Sequence, residues 1–204
     1  MKIFKNIFLI IIVIVVGWNS VYFKKLDEVK ASKEQKSFDA VKYAKEFWDK
    51  KLIPGGGQAI ELSQLLSMIT TDQARAFEDH SHALGIGNLR YFLVKDDATV
   101  EKIENDFIII NCNNSHFKVA TEFIFGNAVR DATGLIDINE FTNTMDFNNV
   151  SAELNKIIRE NVLPPFKSKV KPGDTIEFVG AIELNKEHFQ LNNIEIIPIQ
   201  LKIK

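Results

Sequence analysis

The chain has 204 residues, 46% of them hydrophobic and 25% charged, a composition typical of a globular protein and not of a disordered one. This length suits one folded domain behind a short N-terminal segment. A net charge of −2 supplies no basic surface for a phosphate backbone, which argues against nucleic acid as the main partner. A single cysteine excludes an internal disulfide and a multi-cysteine metal site.

The N-terminus combines a short basic head with an unbroken apolar run over residues 7–23. As a helix, this run would extend about 25 Å against a bilayer core of about 30 Å, so it is just long enough to span a membrane. Trp18 and Tyr22 fall at its far end, where aromatic rings favour the membrane interface. We therefore predict a membrane anchor over residues 1–25, followed by a charged, solvated stalk over 26–36.

Two other fates of the N-terminal segment stay open, a cleaved signal peptide and a lipoprotein signal. The small-residue cleavage pattern is approached only at residues 15–17, and no cysteine follows the apolar run as a lipoprotein signal requires. Lysines after the run outnumber those before it, which on its own would place the C-terminal part in the cytoplasm. The basic head and apolar run, by contrast, are typical of an export signal.

Helical periodicity dominates residues 37–84. Apolar residues recur at helical spacing over 37–51, which predicts an amphipathic helix capped by Ser37 and ended by Pro54 and the glycines after it. Two further short helices are expected over 62–69 and after Asp72.

From residue 89 onward the pattern changes to short β-rich segments. The predicted strands are 90–95, 99–104, 107–112, 117–125, 175–184 and 194–203, with a turn at 95–98 and an edge or bulge at Pro198. One helix, 149–161, is expected to end before Pro164 and Pro165. Its apolar residues Leu154, Ile157 and Ile158 should be buried against the strands.

This order of elements predicts an α+β fold. Strands followed by one helix and two final strands are typical of an OB-like antiparallel β-barrel, in which the helix closes the barrel end. A plain sandwich of helices on an antiparallel sheet fits nearly as well. We predict the barrel, within a single domain over 37–204 that has a helical part over 37–84 and a β-barrel part over 89–204.

No catalytic constellation stands out. The chain lacks a phosphate-binding G-x-x-x-x-G-K-S/T loop and a G-x-S-x-G nucleophile elbow. His80 and His82 are two residues apart, a spacing that does not complete a ligand set with His116 or His188, so we expect solvated histidines. Cys112 lies in an apolar run and is interpreted as a buried thiol. We predict no enzyme activity, no metal and no cofactor.

Two polar clusters are the candidate contacts for a ligand or partner, one at Arg130 and Asp131 and one of asparagines around Asn143. A guanidinium offers a fork of donors, a carboxylate accepts from hydroxyls or cations, and an amide does both. The alternative is structural, in which Arg130 and Asp131 brace a loop and the asparagines satisfy turns and a helix cap.

Short motifs along 38–203 carry a family resemblance. They are Gly126–Ala132, Asp137–Asn143, Phe147–Asn155, Tyr91–Lys95, Phe178–Ala181 and Ile196–Ile199. With these motifs the chain resembles the DUF2291 family of predicted periplasmic lipoproteins. The resemblance implies an exported protein whose gene lies near sugar-uptake ABC transporters of the ribose type. The chain departs from the family label by lacking a cysteine after the apolar run, so the apolar helix must act as the anchor.

Together these observations predict a non-enzymatic, membrane-tethered accessory or binding protein. It would be a single-pass protein of the cytoplasmic membrane with its C-terminal domain on the periplasmic side, and its partners would be components of a sugar ABC transporter. The alternative is an OB-type domain that itself binds an oligosaccharide or another polar ligand. A hydrolase is a third class, which would need a pocket with a strongly shifted carboxylate or histidine.

Overall fold

The computed structural model describes residues 4, 6, 15–16, 38–85, 87–191 and 194–204. Contacts divide the chain into two units, 1–38 and 39–204. Apart from four residues, the predicted anchor and stalk lie outside the described residues, so both stay predictions. In the part of the chain that is described, no helix is both long and apolar enough to cross a bilayer.

The first helix of the larger unit, α1 (Ala40–Phe47), begins at Asp39. The Asp39 carboxylate accepts a hydrogen bond from the backbone N–H of Lys42 at 2.9 Å, as an N-cap residue does. The predicted cap, Ser37, lies outside the described residues. Beyond α1 the chain continues through a π-helical turn, Trp48–Leu52, into a short helix, α2 (Ile53–Gly55).

Two helices, α3 (Leu62–Thr71) and α4 (Gln73–His80), precede the barrel. Asp72 separates them and caps α4, because its carboxylate accepts a hydrogen bond from the backbone N–H of Arg75. Two-residue strands flank the pair, β1 (Ile60–Glu61) before it and β2 (Ser81–His82) after it. The buried residues of both helices join the hydrophobic core of the barrel.

The first barrel strand, β3 (Leu89–Ile103), is one continuous segment of 15 residues. The predicted turn at Asp96 and Asp97 is therefore wrong. Both carboxylates bond to residues that are distant in the sequence. Asp96 accepts a hydrogen bond from the backbone N–H of Ser63 at 3.1 Å, and Asp97 forms an ion pair with Lys204 at 2.7 Å.

Five strands close the barrel: β3, β4 (Phe107–Cys112), β5 (Ser115–Ala120), β6 (Thr175–Asn185) and β7 (Glu195–Ile203). Their order is β3-β4-β5-β7-β6, and β6 pairs back onto β3 along its length. Only the β5–β7 pair is parallel among these five. The predicted α+β fold with an OB-like closed barrel is confirmed, and the open sandwich is excluded. The register shifts where Pro198 pairs with Gly180, which confirms the bulge expected there.

The connection from β5 to β6 is helical. It contains α5 (Ala128–Asp131), α6 (Thr144–Ile157), a second π-helical turn (Ile158–Val162) and α7 (Leu163–Lys167). Leu154 and Ile158 are fully buried and Ile157 is half-buried. Helix α6 packs mainly against α1 and α5, whereas the π-helical turn that begins at Ile158 contacts β7. The helical share of the barrel core comes instead from α3, α4 and Phe166 of α7. The expectation that Leu154 and Ile157 lie against the strands is corrected accordingly, whereas Ile158 belongs to a turn that does contact a strand.

Each π-helical turn lies directly before a proline-containing helix. Proline lacks an N–H and its ring collides with the carbonyl four residues earlier, so a regular α-helical turn cannot run into it. In the wider turn, the N–H of Ile53 reaches the carbonyl of Trp48, and that of Leu163 reaches the carbonyl of Ile158. The chain thus stays helical past Pro54 and Pro164, where the sequence predicted helix ends.

The interior of the barrel is apolar and contains Cys112, which is 3% exposed. This confirms the interpretation of a buried thiol. Burial, together with the nearby carboxylate of Asp96, raises the pKa of the thiol to about 12. The sulfur therefore stays protonated at neutral pH, and it is not an activated nucleophile.

Candidate functional site

The side chain of Arg130 is buried, with 1% of its surface exposed. Its Nε and Nη2 donate to the two carboxylate oxygens of Asp131 at 2.6 and 3.0 Å. Its Nη1 donates to the backbone carbonyl of Phe147 at 3.2 Å and to the side-chain oxygen of Asn148 at 3.3 Å. The guanidinium also lies 3.5 Å from the centroid of the Phe147 ring. These contacts tie α5 to the first turns of α6.

Asn143 lies at the N-terminus of α6. Its side-chain oxygen accepts a hydrogen bond from the backbone N–H of Asp146 at 2.9 Å, and its Nδ2 donates to the Asp146 carboxylate at 2.8 Å. This is the arrangement of a helix cap, which satisfies one of the backbone donors left free at a helix start. The structure therefore places Asn143 at the start of the helix that Arg130 contacts, but Asn143 bonds to Asp146 and not to Arg130.

All three side chains thus make the contacts expected if Arg130 and Asp131 brace the structure and Asn143 caps a helix. Arg130 and Asp131 present almost no surface to a ligand in this conformation, because both are buried. Asn143 is exposed, but its amide already bonds within its own helix. Direct contact of Arg130, Asp131 and Asn143 with a ligand or partner stays a prediction.

The outer face of the barrel carries a different polar group, which we call the Glu101 cluster: Glu101, Asn111 and His116. Glu101 lies where the register between β3 and β4 shifts, so it is a bulge residue. One of its carboxylate oxygens accepts a hydrogen bond from Nδ2 of Asn111 at 2.8 Å, and the other lies 2.7 Å from Nδ1 of His116. Bulges re-aim side chains and are common beside functional sites.

An aromatic ring and a cation continue this face. Side chains alternate along a strand, so Phe107 and Ile109 share a face of β4 with Asn111. Lys118 lies opposite Ile109 on β5, and its Nζ is 5.5 Å from the centroid of the Phe107 ring. The face therefore offers three hydrogen-bonding side chains next to a half-buried ring and an ammonium group.

The hydrogen bond from Asn111 is the largest cause that lowers the pKa of Glu101, with the contact to His116 adding to it. We expect Asn111→Ala to raise the pKa of Glu101 toward its ordinary value, because this bond favours the charged form. Because the pKa of Glu101 is lower in the folded state than in the unfolded state, its ionised form stabilises the folded protein at pH values above the unfolded-state pKa. This contribution is lost as the pH falls through the folded-state pKa. Side-chain carboxyl NMR over a pH titration measures the shift.

Glu104 is the internal control for that titration. The hydrogen bond from Lys102 lowers the pKa of Glu104, and Asn111 takes no part in it. The pKa of Glu104 should therefore be the same in Asn111→Ala as in the unchanged protein. An unshifted Glu101 would show that its carboxylate is not held by Asn111 in solution.

Sequence reasoning missed the Glu101 cluster. It interpreted His116 as solvated and singled out neither Glu101 nor Asn111. The available signal was the alternation of β4, which puts Asn111 on the face opposite the buried Ile108 and Ile110. The bulge that brings Glu101 to the same point depends on the pairing of β3 with β4, which sequence periodicity does not show.

His80 and His82 line a cleft of about 150 Å³ together with Asp79 and Thr133. Burial lowers the pKa of His82, which keeps its ring neutral at neutral pH. Over residues 38–85, 87–191 and 194–204, and the four described earlier ones, no group of three or more His, Cys, Asp or Glu side chains could hold a metal ion.

Comparisons with known proteins place the chain in a family and identify a structural neighbour. The crystal structure of an OB-fold protein from Thermotoga maritima matches with a TM-score of 0.74 and 27% identity, covering 83% of this chain and 100% of that one. No curated protein matches. A family model described as "Predicted periplasmic lipoprotein (DUF2291)" matches residues 11–202. Since that match spans most of the sequence, the chain belongs to the DUF2291 family of predicted periplasmic lipoproteins.

Proposed function

We propose that this protein is an extracytoplasmic binding module that holds a polar ligand on the outer face of β3, β4 and β5. The observation that carries the proposal is the Glu101 cluster, in which three neighbouring strands each supply one hydrogen-bonding side chain. In OB barrels, the face of the second and third strands and the adjoining loops bind oligosaccharides or oligonucleotides. Here those strands are β4 and β5.

The chemistry of this face favours an oligosaccharide over an oligonucleotide. A carboxylate at the centre of the cluster and a net charge of −2 repel a phosphate backbone. Carboxylate, amide and imidazole groups exchange hydrogen bonds with hydroxyls in both directions. The ring of Phe107 adds an apolar surface on the same face, four residues from Asn111 along β4. A neutral sugar chain is thus the ligand we assign to the Glu101 cluster.

Two features support attachment of this module to the cytoplasmic membrane, the family description and the apolar run over residues 7–23. The only cysteine in the sequence, Cys112, is buried in the barrel and does not adjoin the apolar run. We therefore assign the tether to the apolar run as a single-pass anchor, with the domain on the periplasmic side. Components of a sugar ABC transporter are the partners we propose there.

The test is a titration of purified full-length protein in lipid nanodiscs with ribose, maltotriose and xylotriose, in which calorimetry measures the heat of binding. We expect saturable binding of at least one trisaccharide. Glu101→Gln should weaken it about ten-fold, because hydrogen bonds to charged groups contribute about 1.5–3 kcal/mol. Glu78→Gln, an exposed change on α4, is the matched control and should bind normally. Equal weakening by both variants, or no binding of any sugar, would contradict the proposal.

A further inference from the structure

A groove of about 520 Å³ lies on another part of the domain, between the two π-helical turns and β7. Trp48 comes from the first turn, Asn161 and Val162 come from the second, and Ile199 and Gln200 come from β7. Its volume falls within the roughly 300–1,000 Å³ that pockets for small molecules occupy. None of its lining residues belongs to the Glu101 cluster.

The π-helical turns themselves point to this groove. Such turns are rare in proteins and occur frequently at functional sites. In residues 38–204, as far as they are described, two such turns occur, and both contribute lining residues to the same groove. The prolines that follow them explain how each turn forms, but not why the two turns meet at one cavity.

The walls of the groove are apolar, but they offer little aromatic face. Trp48 and Phe166 are 8% and 5% exposed, so most of each ring is covered by the protein. A sugar that stacks on an aromatic ring needs that face uncovered. Val162, Leu201 and Ile203, which are half-buried, instead present aliphatic surface.

Three polar side chains at the groove can still form an ion pair or a hydrogen bond with a ligand. Within the described residues, Lys169 makes no ion pair and the side-chain amide of Asn161 makes no hydrogen bond. Gln200 donates through Nε2 to the carbonyl of Ile53 at 3.1 Å, while its side-chain oxygen has no donor among the described groups. Lys169 is also the one charged residue among those lining the groove. The groove therefore combines apolar walls with one uncompensated positive charge.

We propose that this groove binds a small amphipathic anion, a molecule with an apolar body and one carboxylate-type headgroup. The apolar body lies along the aliphatic walls, where its burial removes apolar surface from water. The headgroup pairs with Lys169 and accepts a further hydrogen bond from the amide of Asn161. This site does not involve the Glu101 cluster, so either proposal can be correct if the other is wrong.

Trp48 provides the readout, because it lines the groove and the sequence contains only one other tryptophan, Trp18. Full-length protein carrying Trp18→Phe, in lipid nanodiscs, is titrated with octanoate, octanamide or ribose, with empty nanodiscs as the blank. Octanoate should change the Trp48 emission saturably. Octanamide, which has the same chain without the charge, should bind about ten-fold more weakly, the factor expected for one lost charge-assisted hydrogen bond.

Two variants locate the binding. Lys169→Met should weaken octanoate about ten-fold and remove its advantage over octanamide. Lys167→Met, two residues away and outside the groove, is the matched control and should leave both titrations unchanged. Asn161→Phe, at an exposed position on the groove, should block both ligands. Ribose binding more tightly than octanoate, or octanoate binding equally to Lys169→Met, would overturn the proposal.

Discussion

Arg130→Ala is expected to lower the free energy of unfolding by about 3–5 kcal/mol, the cost typical of removing one partner from a buried ion pair. The carboxylate of Asp131, whose side chain is 4% exposed, would lose both of its charge-assisted bonds and stay buried without a cation. The carbonyl of Phe147 and the amide oxygen of Asn148 would each lose a donor as well. Urea unfolding, followed by circular dichroism, measures the change.

A double-mutant cycle separates this bracing role from ligand contact. Asp131→Ala alone should also destabilise strongly, since it leaves the guanidinium buried and unpaired. The double variant should be less destabilised than the sum of the single changes, because contacting residues couple and no lone charge remains. Near-normal stability of Arg130→Ala, with weakened capture of a ligand or partner, would instead support the contact role.

An exposed pair provides the control for that cycle. Arg75 and Asp79 are four residues apart on α4, with side chains 72% and 47% exposed. Exposed pairs of this kind contribute about 0.3–0.5 kcal/mol. The Arg75→Ala and Asp79→Ala cycle should therefore show small changes and little coupling, against which the buried pair is compared.

The barrel could be predicted from the sequence because its signal is local. A short run rich in isoleucine identifies β4, apolar residues partly alternating with polar ones identify β6, and the helix before the last two strands fixes the order. The prediction failed where a distant partner decides the local structure. Asp96 and Asp97 have turn chemistry, yet both pair with β6 in a continuous strand, and their carboxylates bond to Ser63 and Lys204. Those partners lie 33 and 107 residues away in the chain.

The candidate sites show the same limit. Arg130 and Asp131 were singled out by residue type as candidate contacts, but residue type alone does not distinguish a buried brace from an exposed contact. The cluster at Glu101 depends on a bulge, and the groove at Trp48 depends on two π-helical turns that meet in space. Pairing and packing create both features, so neither follows from periodicity along one segment.

Leu154→Ala is expected to lower the free energy of unfolding by about 2–5 kcal/mol, the range for truncating a fully buried leucine. Leu154 is 0% exposed on the face of α6 that packs against α1 and α5, so the change leaves a cavity between helices. Thermal and urea unfolding of the full-length protein measure the loss.

Ile157→Ala is the matched comparison, three residues further along the same helix. Ile157 is half-buried and lines an open groove beside α1, where water can occupy the space that the side chain leaves. The variant should therefore be less destabilised than Leu154→Ala, because a site open to solvent adds no enclosed cavity to the lost burial. A larger loss of stability for Ile157→Ala than for Leu154→Ala would mean that α6 is rotated about its axis in solution, so that Ile157 and not Leu154 is the enclosed residue. Since Arg130 bonds to the first turns of α6, such a rotation would also displace the brace, and the two unfolding experiments therefore test the same helix from its two ends.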